Sequence, residues 1–475
     1  MISKIIDLKN KFEKTVGGDL AIWIVIIFLL LFSTAVVYSS TGSLAYARNG
    51  GRNIDYLISQ GGIAVLGLAV VYLTHLLGTK FYTRKFTTVF YWFAILLTVL
   101  TFFVGVEING EKRWLRIPLT SSTFQPSDVL KIALVMLLSK QLSSIQKRIK
   151  KVRLLPFFVD LITHKNIEYN KYIFNNFTLK IIAPIALSCV LVVITNLSTA
   201  IIIYLACLGI FILGRIRIVE IFRFMGVTIV AFALLFAILK VTGGRAETWE
   251  NRINSFISPV EVTDSSTLSQ DDYQKHQAKI AIASGWIMGK GPGGSTQRSN
   301  LPHPYSDYAF AFIVEEYGIV AAIFLLVCYL TIFYRTIRIF NRCYHSFLGF
   351  VVLGLGLIIT IQVMFHVGIS VAIFPVSGQP LPLISKGGSS MIFTCIMLGI
   401  IQGISRQINI QQKQQKINDN LKLIGEDGWD QIILDQEAFD NLEKEEHFDR
   451  FFDYNTDDEY DGILWNERDK NESDS

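Results

Sequence analysis

Ten runs of predominantly apolar residues recur along this chain, at 20–38, 56–77, 86–106, 129–142, 181–195, 197–213, 218–241, 308–334, 347–374 and 388–404. About 20 such residues in a helix span the roughly 30 Å hydrocarbon core of a bilayer, and a single water-soluble core cannot absorb so many runs of this length. A mean hydropathy of +0.42 agrees. The expected fold is an all-α polytopic membrane protein: ten transmembrane helices over 20–406, a cytoplasmic segment at 1–19, one large extracytoplasmic loop at 242–306 and an acidic cytoplasmic tail at 407–475. The first run is expected to stay as an anchor, because a long basic lead precedes it and no small-residue cleavage site follows. Residues 181–213 as one helix would measure about 50 Å, so two crossings with a reversal at "TNLS" are expected.

Charge sets the orientation. Lys4, Lys9, Lys11 and Lys14, then Lys80, Arg84 and Lys85, the basic segment around Lys147 to Arg153, Arg215, Arg217 and Arg223, and Arg335, Arg338 and Arg342 all fall on one side of the ten crossings. Positive loops stay in the cytoplasm, which places both termini there, in the bacterial cytoplasmic membrane, and 242–306 outside. The net charge of +5 conceals a division: from Gln407 onward 20 acidic residues face 7 basic ones. That tail, acidic and rich in Phe, Tyr and Trp, suits either a solvated solubilising segment or a partner-binding one. Five cysteines stand singly, without CxxC spacing, and suggest neither a disulfide frame nor a zinc site. "GKGPGG" at 289–294 matches G-x-G-x-x-G, yet no βαβ unit surrounds it, the phosphate-loop spacing fails and the loop faces away from cytoplasmic nucleotide. No nucleotide cofactor is expected; a close-approach loop beside a membrane site is the better reading.

Ionisable groups at membrane depth cost roughly 2.5–3.5 kcal/mol each, so they face a wet cavity or a partner. "PHPYSDYAFAFIVEEYG" places Asp307 at the mouth of an apolar run and Glu315 and Glu316 deeper. Asp307 reads either as a helix cap or as a chemical group; Glu315 and Glu316 read as an internal ion pair holding helices together. On the same face, "GEKRWLRIPLTSSTFQPSDVLK" offers Arg113, Trp114, Gln125 and Ser127, with Asp128 and Lys131 as a costly i,i+3 pair in a polar interior. "GQPLPLISKGGSS" adds Lys386 and, at a helix start, the amides around Ser389 and Ser390, a combination suited to an oxyanion or phosphate. Gln274 and Gln277 lie on an apolar-faced helix of the outer loop that could rest on the membrane surface.

Taken together and in this order, "KRWL", "QPSDVLK", "YQKHQAKIAIASG" with "GKGPGGS", "PYSDYAFAFIVEEYG" and "GQPLPLISKGGSS" resemble the SEDS family, the FtsW/RodA peptidoglycan polymerases, and are nearer in wording to the division-type FtsW branch. Asp128 stands where that family usually has Glu, His366 where it usually has Asn, and Lys386 replaces a frequent Tyr or Met. The resemblance implies polymerisation of lipid II at the outer face, with a class B penicillin-binding protein as partner and other division proteins meeting the tail. No nucleic-acid partner is expected. It implies Asp307 as the general base and Arg113, Lys131, Lys386 and the "GGSS" amides as holders of the departing diphosphate. Trp114 would pack on sugar or lipid, and Mg²⁺ or Mn²⁺ are candidates to share the charge. Asp128, Glu315, Glu316, Gln274 and Gln277 would form the polar interior. A lipid II flippase and a non-catalytic division scaffold are the competing readings.

Overall fold

The computed structural model describes residues 16–42, 54–77, 84–108, 111–117, 122–146, 149, 179–241, 246–257, 270–301 and 305–424. The acidic stretch of the tail beyond 424, most of the basic segment at 147–153, the lysines at 4–14 and 80, and Pro302, His303 and Pro304 lie outside the described residues.

Every expected apolar run is a helix. In chain order these are α1 (Leu20–Ser40), α2 (Ile54–Leu76), α3 (Arg84–Val104), α4 (Pro126–Ile145), α5 (Leu179–Thr195), α6 (Leu197–Leu213), α7 (Ile218–Val241), then α8 (Ala246–Ile257) and α9 (Gln270–Gly285) from the outer loop, α10 (Ala309–Arg342), α11 (Ser346–Ser370) and α12 (Gly388–Ile424). Seven of them, α1, α2, α3, α7, α10, α11 and α12, are long and apolar enough to cross a membrane, and α5 and α6 are shorter apolar helices. The chain is thus a multi-pass membrane protein.

The remaining run, 129–142, lies in α4, which is less apolar because it carries Asp128, Lys131 and Lys140 and is buried without interruption from 126 to 139. A helix enclosed on all sides is a core helix, and α4 packs against α3, α5 and α11. Between α5 and α6 only Asn196 leaves helical geometry (φ −156°, ψ 97°), and its side chain accepts a hydrogen bond from the Thr199 amide at 3.2 Å. The two helices pack against each other, and the break falls at the expected "TNLS". Helix α7 turns most of its surface outward; its end is held by Trp249 of α8, stacked on Phe232 and Phe236 at 5.9 and 6.3 Å.

Three features depart from expectation. A small antiparallel sheet, β1 (Val106–Ile108), β2 (Glu111–Arg116) and β3 (Thr123–Phe124), sits between α3 and α4, with Val106 opposite Trp114 and Leu115 opposite Phe124. Helix α9 spends its apolar face on protein: Ala278 and Ala281 are fully buried and the helix packs along α10. Helix α12 runs through the boundary expected at 406 as far as Ile424.

Candidate active site at the membrane mouth

The run containing Asp307 is not one continuous helix. Gly318 takes φ +81°, ψ 176° and breaks α10, leaving four backbone groups that an unbroken helix would pair internally. The segment after α9 supplies their partners. Lys290 and Gly291 amides donate to the Glu315 and Glu316 carbonyls, both at 2.9 Å, while Ile319 and Val320 amides donate to the Trp286 and Ile287 carbonyls at 3.0 and 3.4 Å. Irregular backbone inside a membrane protein is tolerated where protein satisfies it, and here the "SGWIMGKG" loop does so. Glycine is demanded by contact: a Cβ at Gly285 would stand 2.0 Å from the Val314 carbonyl oxygen, and one at Gly289 2.3 Å from that of Glu316.

This insertion defines the roles of the two deep carboxylates. Glu315 is fully buried and accepts from Lys290 Nζ at 2.7 Å, Ser295 Oγ at 2.5 Å, and the Thr296 amide and hydroxyl, each at 3.0 Å. Glu316 accepts from Ser39 Oγ at 2.7 Å and the Gly293 amide at 3.1 Å. Both carboxylates therefore fasten the 289–297 loop to α10 and α1. The ion-pair reading holds for Glu315, whose partner is the lysine of the rejected nucleotide motif. Glu315→Gln is expected to lower stability by at least about 2 kcal/mol, since it strands a lysine and several buried donors; thermal unfolding in detergent measures the loss.

Asp307 precedes α10 instead of capping it. The cap position is Tyr308, which makes no side-chain cap bond; the half-buried Asp307 carboxylate accepts from Ser306 Oγ at 3.0 Å. Its environment is set by the loop between α11 and α12. A Cβ placed on Gly378 would lie 3.6 and 3.8 Å from the two Asp307 oxygens and 3.9 Å from a guanidinium nitrogen of Arg113. An acid and a cation from distant parts of the chain thus converge on the bare backbone of one glycine. Arg113 reaches this point from β2, where its guanidinium carbon is 6.0 Å from the Trp114 ring centre.

A second layer fixes this loop. Ser385 Oγ donates to the Ser306 carbonyl at 2.7 Å and the Lys386 amide donates to that of Tyr305 at 2.8 Å, strapping the loop to the two residues that precede Asp307. His366, fully buried in α11, receives the Phe310 amide on Nε2 at 3.3 Å and directs Nδ1 at the Gln379 carbonyl at 2.7 Å. A carbonyl only accepts, so one neutral tautomer, protonated at Nδ1, satisfies both bonds. Gln379 Nε2 donates to Thr199 Oγ1 at 3.0 Å, and Gln362 Nε2 to the Pro380 carbonyl at 3.0 Å. An asparagine amide also offers one donor and one acceptor. His366→Asn is therefore expected to stay folded and active, whereas His366→Leu should cost at least about 2 kcal/mol by orphaning two backbone groups. Unfolding midpoints of the two variants test this.

The remaining sequence candidates divide by position. Lys131 is buried, 2.7 Å from Asp128, with Nζ 3.5 Å from Gln362 Oε1; it and Asp128 stand behind the Pro380 backbone and support it through Gln362. Lys386 is half-buried, its ammonium 4.2 Å from the Tyr56 ring centre and 5.1 Å from that of Tyr305, a cation held by aromatic faces. Ser389 and Ser390 occupy the first turn of α12, joined to the β3 side by Phe124 and Phe393 at 6.4 Å. Gln125 precedes α4 without a side-chain capping bond. Its Nε2, with Trp114 Nε1, Ser127 Oγ and Ser377 Oγ, is buried and makes no hydrogen bond within the described residues. Buried polar atoms normally have partners, and these four lie close in sequence to Arg113, the start of α4 or Gly378. Gln274 and Gln277 are half-buried on α9, whose Ala278 and Ala281 pack in one cluster with Tyr308, the residue after Asp307. Gln379 and Ser377 escaped sequence reasoning, and His366 was noted only as a departure from the family's usual Asn; the signal available for the first two was polar residues beside an apolar run.

Comparison with known proteins places this geometry in context. Residues 19–410 match a family model described as FTSW_RODA_SPOVE, cell cycle protein. A probable peptidoglycan glycosyltransferase FtsW of Hydrogenovibrio crunogenus is 27% identical over 80% of this chain and 90% of its own. The peptidoglycan glycosyltransferase MrdB of Helicobacter pylori is 27% identical over 81% and 89%, and the stage V sporulation protein E of Bacillus subtilis 26% identical over 83% and 98%. Among solved structures, a chain of a peptidoglycan synthase complex superposes with a TM-score of 0.57 at 21% identity, covering 83% of this chain and 99% of its own. Rod shape determining protein RodA of Thermus thermophilus does so with a TM-score of 0.51 at 19% identity, covering 83% and 98%.

Proposed function

The chain belongs to the FtsW/RodA/SpoVE family, and from that premise we infer that it is a peptidoglycan glycosyltransferase polymerising lipid II into glycan strands, of the type that serves septal wall synthesis. Curated relatives bearing the glycosyltransferase name over most of their length support the activity. The observation that carries the mechanism is the meeting of Asp307 and Arg113 at Gly378. We place this mouth on the outer side of the cytoplasmic membrane, with both termini inside and ten crossings in all, following the charge pattern of the loops.

In this reading Asp307 takes the proton of the acceptor sugar hydroxyl as that oxygen attacks the anomeric carbon of the lipid-linked donor. The new C–O bond forms as the bond to the diphosphate oxygen breaks, so the anomeric carbon inverts. The leaving group is already a stable anion and needs countercharge more than a proton. Arg113 supplies it at the reacting centre, and Lys386 with the first-turn amides of α12 supplies it along the lipid diphosphate. Gln125, Ser127, Trp114 and Ser377 offer the unmatched polar atoms that sugar hydroxyls and amides would fill.

A divalent cation such as Mg²⁺ or Mn²⁺ would add charge to the diphosphate. Among the described residues no three His, Cys, Asp or Glu side chains cluster to hold one, and the neighbours of Asp307 are a guanidinium and glycine backbone, so the chain's own groups fit such an ion poorly. A flippase would need mobile carboxylates in its interior, whereas Glu315 and Glu316 are committed to the loop that fills the break in α10. We expect a cognate class B penicillin-binding protein as partner, and other division proteins at the acidic tail.

The test is lipid II supplied to the purified chain in detergent and in vesicles, with and without that transpeptidase. Glycan strands made by the chain or its complex support the proposal. Lipid II translocation without strands would establish the flippase instead, and neither activity in the assembled complex would leave a scaffold.

A further inference from the structure

At the end of α10 opposite Asp307, a second polar site has no part in the chemistry above. Arg335 lies 26 residues beyond the start of α10, roughly 39 Å along its axis, just past a hydrocarbon core of about 30 Å. There α1, α10 and α12 enclose a cavity of about 180 Å³ lined by Asp19, Arg335, Arg338, Arg342, Ser405 and Asn409 among others. Its floor is fixed by hydrogen bonds. Gln402 accepts the Asp19 amide at 2.7 Å and donates to its carbonyl at 2.9 Å, Asn409 donates to the Gly18 carbonyl at 3.3 Å, and Arg335 Nε donates to both Asp19 oxygens at 2.9 and 2.7 Å.

Arg335 and Asp19 neutralise each other there, but Arg338 and Arg342 are exposed and make no ion pair with the described residues. The cavity therefore keeps two cations in excess. They end a lipid-facing stripe: Val320, Ile323, Val327, Leu330 and Tyr334 follow one another at helical spacing along α10, each about half exposed or more. The Arg338 guanidinium lies 5.9 Å from the Tyr334 ring centre, directly above that stripe. An apolar track about 21 Å long, more than one leaflet of the roughly 30 Å hydrocarbon core, that terminates in two guanidinium groups is complementary to a molecule with acyl chains and an anionic head.

We propose that this cavity is a binding site for an anionic phospholipid, whose headgroup phosphate is held by Arg338 and Arg342 while its chains lie along α10. Basic pockets between transmembrane helices on the cytoplasmic side recognise such headgroups. A bound lipid would bridge α10 to α12 and α1 and brace the far end of the helix whose first residue follows the site at Asp307.

Native mass spectrometry of the full chain released from mixed phosphatidylglycerol and phosphatidylcholine nanodiscs tests the proposal. The wild type should retain phosphatidylglycerol in preference to phosphatidylcholine, and Arg338→Gln with Arg342→Gln should retain at least about tenfold less. The paired Arg338→Lys, Arg342→Lys chain, which keeps the charge, should recover most of it. Inorganic phosphate at millimolar concentration should not displace the lipid, because the apolar stripe contributes to binding. Equal retention by the glutamine variant, or displacement by phosphate alone, would overturn the proposal. So would arginine variants that lose only the transpeptidase partner while keeping the lipid.

Discussion

Gly285→Ala should yield no folded protein, or protein so unstable that it does not survive extraction. The added methyl would meet the Val314 carbonyl oxygen at 2.0 Å and the Glu315 Cα at 2.9 Å, both backbone atoms that no rotamer change can move. Relief requires α9 and its following loop to retreat from α10. That retreat removes the partners of the Glu315 and Glu316 carbonyls and of the Ile319 and Val320 amides. Several backbone groups orphaned at membrane depth, each costing roughly 1–3 kcal/mol or more, approach the whole stability of an ordinary domain, about 5–15 kcal/mol. Gly318→Ala should fail for the same reason with strain added, since its φ of +81° disfavours a side chain and its Cβ would lie 2.2 Å from the Ile287 oxygen. Gly291, with a φ of +86° but no atom within 4 Å of a Cβ, is the control: alanine there should cost only the conformational strain, about 1–2 kcal/mol. Size-exclusion profiles and unfolding midpoints in detergent rank the three.

Asp307→Asn should slow strand formation by 10²- to 10⁴-fold while leaving the fold intact. The magnitude is that of a positioned general base. The amide keeps the shape of the carboxylate and can still accept from Ser306 Oγ, so stability should change little. Asp307→Glu keeps the basic group but drives it about one methylene further toward Arg113 and Gly378, and near-attack geometry tolerates little displacement; intermediate activity is expected. A helix-capping role, by contrast, would show as lost stability with a largely preserved rate, and the cap position belongs to Tyr308.

The helical fold was legible because crossing a membrane demands long uninterrupted apolar segments, and each expected run became a helix. What escaped was where those helices stop behaving as helices. The break at Gly318 depends on a loop about 30 residues earlier donating amides into it, and such reciprocal pairing leaves no periodic trace. "GKGPGG" invited a nucleotide reading when its first glycine, Gly289, is needed for close contact with α10. The mouth was legible in part: Asp307 and Arg113 were both singled out, but their meeting at Gly378 depends on the α11–α12 loop. That loop is set by Gln379, whose polarity beside an apolar run was the sole hint, and by His366, which the sequence marked only as a departure from the family's usual Asn. The Asp128–Lys131 pair was legible from its i,i+3 spacing, since a charge at that depth is costly without a partner; that it supports the Pro380 backbone through Gln362 was not.

The central claim is that Asp307 accelerates the chemical step at this mouth. Its most direct test is a single-turnover measurement on the chain with its activating transpeptidase, comparing lipid II affinity and the rate of first bond formation for the wild type and Asp307→Asn. Unchanged affinity with a rate at least 100-fold slower is predicted. Equal rates, or a defect that disappears when lipid II saturates the variant, would contradict it.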